Sequence, residues 1–133
     1  NMIELAKINN PEAEFKLMDC RDIATISEKY DAVMCGFCFP YLSKEDGLKL
    51  ISNAWSVLHP GGVIYISTME DDYSKSGLRA GSSGEEIFMH YHEGAYLTEA
   101  LVSNGFTVTD LIRQDFPTSD GTKVTDLILI AKK

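Results

Sequence analysis

Tyr30-Asp31-Ala32-Val33-Met34-Cys35-Gly36-Phe37-Cys38-Phe39-Pro40-Tyr41-Leu42 is the stretch on which the fold turns. It opens as a short apolar run of strand type and reaches a glycine. Three aromatics and a proline then lead to a helix signal at Ser43. A strand that ends in a glycine-marked loop and feeds a helix is where an open α/β sheet binds ligands, because its carboxyl end opens into the crevice between flanking loops. Cys35 to Leu42 is therefore read as the floor of a site.

Downstream, Ser43-Lys44-Glu45-Asp46 resembles a capping box, and Ile51, Ala54, Trp55 and Leu58 recur at helical spacing as far as His59-Pro60-Gly61-Gly62. Val63 to Thr68 is rich in β-branched residues and almost continuously apolar, as suits a parallel strand covered on both faces. A helix between two such strands is a βαβ crossover. Met69 to Gly84 loses periodicity and reads as a long mobile loop, of the kind used as lids or binding loops. Phe88-Met89-His90-Tyr91-His92 follows it. A further helix carries Leu97, Ala100 and Leu101 on one face and closes at Asn104-Gly105. Phe106 to Arg113 and Val124 to Ala131 read as strands of an antiparallel hairpin turning at Pro117-Thr118-Ser119-Asp120-Gly121.

Upstream, Met2 to Ile8 reads as the last turns of a helix burying Met2, Leu5 and Ala6, ended by Asn9-Asn10-Pro11. Glu14-Phe15-Lys16-Leu17-Met18 alternates polar and apolar, as a strand does, and runs into Asp19-Cys20-Arg21-Asp22.

With 133 residues, 44% hydrophobic and 24% charged, the composition is that of one globular domain. A formal net charge of -8 disfavours a nucleic-acid backbone or an anionic membrane and suits an uncharged or cationic small molecule. No apolar run approaches the roughly 20 residues that span a bilayer, and Asn1 to Asn10 lacks the pattern of a signal peptide, so a cytoplasmic protein is expected. Three cysteines, two of them in apolar surroundings, argue for reduced thiols rather than a secreted disulfide framework.

Taken in order, these residues resemble the C-terminal two-thirds of a class I S-adenosylmethionine-dependent methyltransferase. The resemblance rests on Phe15 to Asp19 with Cys20-Arg21-Asp22-Ile23, on Tyr30 to Cys35, on Leu58-His59-Pro60-Gly61-Gly62-Val63, and on the closing hairpin after Gly105-Phe106. It implies a Rossmann-like α/β sheet, incomplete because the first two strands and the glycine-rich loop are missing, with an antiparallel C-terminal hairpin. Residues 1–133 would form a single partial domain of this kind. In the family's sheet order the third strand is separated from the fourth by the two missing strands. Glu14 to Met18 would lack a neighbour, and Asp31 to Cys35 would be an open edge. Three outcomes are expected: a homodimer through that edge, a third strand moved onto the fourth, or a chain cut from a longer protein.

The resemblance also assigns roles. Asp19 would accept a hydrogen bond from the adenine amino group, with the Cys20 amide reaching the ring, and Cys35 would offer its carbonyl to the methionine amino group. Gly36 and Phe37 complete the cofactor set. Phe37, Phe39 and Tyr41 would lie at the mouth of the pocket, where aromatics bound a sulfonium by cation-π contact, although core packing explains at least one of the three equally well. Phe39, Tyr41, Glu70 and Tyr91 are the expected substrate contacts. Glu70, with Asp71 and Asp72, reads equally as the start of a solvated loop. His90 is the candidate general base, and His92 reads as a packed histidine. The expected cofactor is S-adenosylmethionine, no metal is expected, and the acceptor is a small molecule. Two other functions compete: a non-catalytic remnant that associates through its sheet edge, and a thiol-redox or metal-binding domain on Cys35 and Cys38. The helix start beyond Pro40 and the scarcity of further ligands weigh against the latter.

Overall fold

The computed structural model describes residues 2–81, 84–118 and 121–133. Its central element is a four-stranded sheet in the order β1-β2-β6-β5. Here β1 is Tyr30–Gly36, β2 is Leu58–Glu70, β5 is Thr107–Pro117 and β6 is Lys123–Lys132. β1 and β2 run parallel, and the helix α2 (Lys44–Val57) connects them, so the expected crossover is present. β6 lies antiparallel to both β2 and β5, as expected of the closing hairpin.

Side-chain alternation gives this sheet one fully covered face. Cys35, Ile64, Ile66, Leu127, Leu129 and Ala131 turn to the same side and are buried. Leu50, Ile51 and Ala54 of α2 meet them there, with Leu97 and Leu101 of α3 (Gly94–Ser103). The capping sequence behaves as its composition dictates: Ser43 Oγ accepts from the Asp46 N–H at 3.1 Å, and acids occupy the first turn of α2. α3 ends at Gly105, whose φ of +97° is left-handed and whose α-carbon faces the Trp55 ring. A Cβ there would come within 2.8 Å of that ring, so the turn needs glycine on both counts.

Three expectations are corrected. Glu14 to Met18 is not a strand, and no third strand moves onto β1. The alternation is real, but a strand exists only where a neighbour takes its amides and carbonyls, and β1 pairs with β2 alone among the described residues. The helix α1 (Met2–Asn9) forms but buries nothing, with Met2 83% and Leu5 56% exposed. The stretch after Met69 is not a featureless loop. A 3-10 turn at Tyr73–Lys75 leads into a two-stranded antiparallel sheet of β3 (Gly77–Ala80) and β4 (Glu86–Met89). Ser82 and Ser83 of that stretch, like Ser119 and Asp120 of the closing turn, lie outside the described residues. Among those described, no helix is long and apolar enough to cross a membrane.

Candidate functional site

The carboxyl ends of β1 and β2 lie side by side, with Gly36 opposite Ser67. Past Gly36 the chain bends sharply. Phe37 has a φ of 50°, the only positive value among the described non-glycine residues, and its N–H donates to the buried Ser67 Oγ at 3.0 Å. A left-handed phenylalanine is uncommon and costs energy, so the hydrogen bond to Ser67 helps hold a conformation the residue would not choose. The bend leaves the Phe37 ring 45% exposed, and a Cβ added at Gly36 would meet nothing within 4 Å. Open space therefore lies above the end of β1.

A 3-10 helix at Cys20–Thr25 packs against α2 and brings the other expected residues to this end. Asp19 caps it, accepting from the Arg21 N–H and Nε on Oδ1, both at 2.9 Å, and from Arg21 Nη2 on Oδ2 at 2.6 Å. The Arg21 guanidinium holds the Asp19 carboxyl down to about 2, so it is an anion at neutral pH. Cys20 and Cys38 both pack on the core cluster that contains Cys35, and all three thiols are free. The neighbouring Cys38 thiol and burial push the Cys35 thiol up and keep it protonated, while Cys35 lowers Cys38. Among the described residues no group of three or more His, Cys, Asp or Glu could hold a metal ion.

Phe39 and Glu70 do not stand where the sequence put them. The Phe39 ring is fully buried, edge-on to His92 at 5.5 Å, because the proline-containing turn Phe39–Tyr41 folds it under α2. It is the aromatic that serves the core. Glu70 is taken by structure: Oε1 accepts from the Gly94 N–H and Arg113 Nη2, both at 2.9 Å, and Oε2 accepts from Arg113 Nε at 2.5 Å. It caps α3 and ties β2 to β5, and Arg113 keeps its carboxyl below the usual range.

The two histidines also part company. His92 is buried, and its Nε2 lies 2.8 Å from the Phe39 carbonyl. A carbonyl only accepts, so Nε2 carries the proton, and Nδ1 receives the Tyr96 hydroxyl. Burial pushes its pKa down, as for the packed residue expected. His90 is half-buried, with Nδ1 3.2 Å from the Tyr73 hydroxyl and its ring 4.7 Å from Phe88. Burial lowers its pKa as well, so it is neutral at physiological pH and able to accept a proton.

Tyr41 and Tyr91 do meet. They line a cavity of about 340 Å³ between the β3–β4 hairpin and the end of β2, together with Met69, Arg79, Ile87 and Met89. The hairpin is fastened over this end of the sheet by two backbone contacts, His90 N–H to the Pro40 carbonyl at 2.8 Å and His92 N–H to the Met69 carbonyl at 3.1 Å, and its own base is closed by Tyr91 N–H donating to Ser76 Oγ at 3.0 Å. Ser67, Met69, Arg79, Ile87 and Met89 were not anticipated. The short apolar run Ile87-Phe88-Met89 was the available signal, obscured by the serines and glycines before it.

Residues 1–62 match the family model of the methyltransferase domain. No curated protein matches the chain by sequence. Among solved structures, the chain is similar to an S-adenosylmethionine-dependent methyltransferase of Methanosarcina mazei, with a TM-score of 0.78 and 17% identity over 98% of this chain and 76% of that one. It is similar to a second such enzyme, from Mesorhizobium loti, with a TM-score of 0.73 and 16% identity over 99% and 76%. A third is the 1,6-didemethyltoxoflavin-N1-methyltransferase of Burkholderia thailandensis, solved with 1,6-didemethyltoxoflavin and S-adenosylhomocysteine. It gives a TM-score of 0.65 and 19% identity, and the chain spans 56% of its length. Sheet order, hairpin and matched segment agree: the chain has the fold of the class I S-adenosylmethionine-dependent methyltransferases.

Proposed function

We propose that this chain supplies the methyl-transfer site of an S-adenosylmethionine-dependent enzyme acting on a small-molecule acceptor. The observation that carries the reading is a pair of spaces on one edge of the sheet. One is the open space above Gly36 and Phe37, and the other is the open-mouthed cavity at Tyr41, Met69 and Tyr91. A donor and an acceptor need two such spaces.

The residues present fit the cofactor. A carboxylate offers about four acceptor positions, and Arg21 takes three of those on Asp19, leaving one toward which an adenine amino group could donate. Gly36 keeps the crevice free of side chain. When bound, S-adenosylmethionine would supply an electrophilic methyl, which the acceptor's nucleophile takes by direct displacement of the neutral thioether. Asp19 and the Cys20 amide orient the base, the Cys35 carbonyl and Gly36 receive the amino-acid end, and the half-exposed Phe37 ring shields the cation from water. His90, the candidate base of the sequence, holds Nδ1 against Tyr73 and does not line the cavity at Tyr41 and Tyr91, so no base is assigned to the step. Positioning of donor and acceptor supplies most of the rate in such a displacement.

Isothermal titration of S-adenosylhomocysteine tests the reading. Saturable micromolar binding that Asp19→Ala weakens about tenfold, the worth of one charge-assisted hydrogen bond, is expected. No heat with the wild-type chain contradicts it.

A second reading, association of two copies through the outer side of β1, is favoured by that strand's single neighbour and by Met34, which is 76% exposed. Sedimentation equilibrium separates the two: a concentration-dependent dimer is expected under the second reading, and a monomer at every concentration removes it.

A further inference from the structure

The cavity beneath the hairpin has a chemical character of its own. Register pairs Arg79 with Ile87 and Gly77 with Met89, and side chains paired in this way share a face. Arg79, Ile87 and Met89 therefore look the same way, toward Tyr41, Met69 and Tyr91. Two methionines, an isoleucine and two tyrosine rings make walls suited to a flat apolar body, since thioethers and aromatic faces both accept ring contacts. Among the described residues that line the cavity, Arg79 is the only charged one. Its guanidinium carbon lies 5.9 Å from the Tyr91 ring centre, and Nη2 donates to the Lys75 carbonyl at 3.3 Å. The cation is thus positioned by two contacts that leave its charge uncompensated. The nearby acid Asp71 is paired instead with Lys75, at 2.8 Å.

Resting on the methyl-transfer reading, we infer that the acceptor is a flat apolar molecule carrying one anionic group, with the ring held among Met69, Met89 and Tyr41 and the anion against Arg79. This reverses the expectation from overall charge. A net charge of -8 favours cations in the surrounding solution, but at contact distance the local cation decides, because the attraction rises as the separation falls while charges farther off are screened by salt. Carboxylate, sulfonate and phosphate share the planar or threefold oxygen array that a guanidinium recognises.

The test uses two fluorescent probes with the same rings: 8-anilino-1-naphthalenesulfonate, which is anionic, and N-phenyl-1-naphthylamine, which is neutral. Fluorescence titration of the full chain should show the anionic probe bound about tenfold more tightly than the neutral one, as one charge-assisted contact supplies. Arg79→Gln, a surface change, should level the two affinities, while Arg79→Lys keeps part of the preference. Met89→Trp, which fills the cavity, should weaken both probes together. Equal binding of the two probes by the wild type, a preference that survives Arg79→Gln, or probe binding indifferent to Met89→Trp overturns the inference. S-adenosylhomocysteine titrated into the same samples reports on the methyl-transfer reading alone, so the two can fail separately.

Discussion

β2 and the segment Glu14 to Met18 both read as strands in sequence, one almost continuously apolar and the other alternating, yet they end in opposite states. β2 has a neighbour on each side, and Ile64 and Ile66 are wholly buried beneath α2. Glu14 to Met18 has no neighbour and stays irregular, with Leu17 87% exposed. It borders a cavity of about 590 Å³ shared with Ile26, Glu28 and Tyr30. Pattern proposes a strand, and pairing decides it. The same contrast separates stability from function: the covered face holds the molecule together, and the uncommitted carboxyl edge carries the candidate site.

The contrast is broken most severely by truncating each region in turn. Phe39→Ala removes a fully buried ring and should cost about 3–5 kcal/mol. Leu17→Ala should change stability by less than about 0.5 kcal/mol, as exposed positions do. Urea unfolding of both variants reads the difference, and comparable losses would mean that the N-terminal segment is packed after all.

A smaller effect is expected at the tie between β2, β5 and α3. Glu70→Gln keeps the shape but gives up the charge that Arg113 meets, and should cost about 1–2 kcal/mol in the same assay. An unchanged midpoint would place Glu70 among the solvated acids instead.

The third probe is pH. Burial lowers the folded pKa of His92 below the ordinary histidine value of about 6.5, so the unfolded chain binds its proton more readily. Stability from this group is fully present above about 6.5 and is lost as pH falls toward the folded value. Thermal unfolding between neutral pH and the acid side should therefore show a decline that His92→Gln reduces. A decline of the same size in the variant would assign it elsewhere.

How much was legible follows the same division. The crossover from β1 through α2 to β2, the cap at Ser43 and the β5–β6 hairpin could be read because local pattern and tertiary partners agree there. Phe39 is the aromatic for which the packing alternative holds, and Glu70 is engaged by Arg113 and Gly94 rather than solvated. Whether an aromatic after a strand faces a crevice or the core depends on a turn whose direction the residue types do not specify. Arg79 escaped because its strand is short, and its importance arises only when the hairpin folds back over Met69. Asp19, Cys35 and Gly36 were singled out through motif order, which survives even where the strand before Asp19 does not form.

The most direct measurement is a nitrogen-15 amide spectrum of the chain with S-adenosylhomocysteine added stepwise. The account predicts shifts centred on Asp19 to Arg21 and on Gly36 to Cys38, with the amides of Ile112 to Phe116 on β5 unmoved. A spectrum that does not change, or changes confined to β5 and β6, would contradict it.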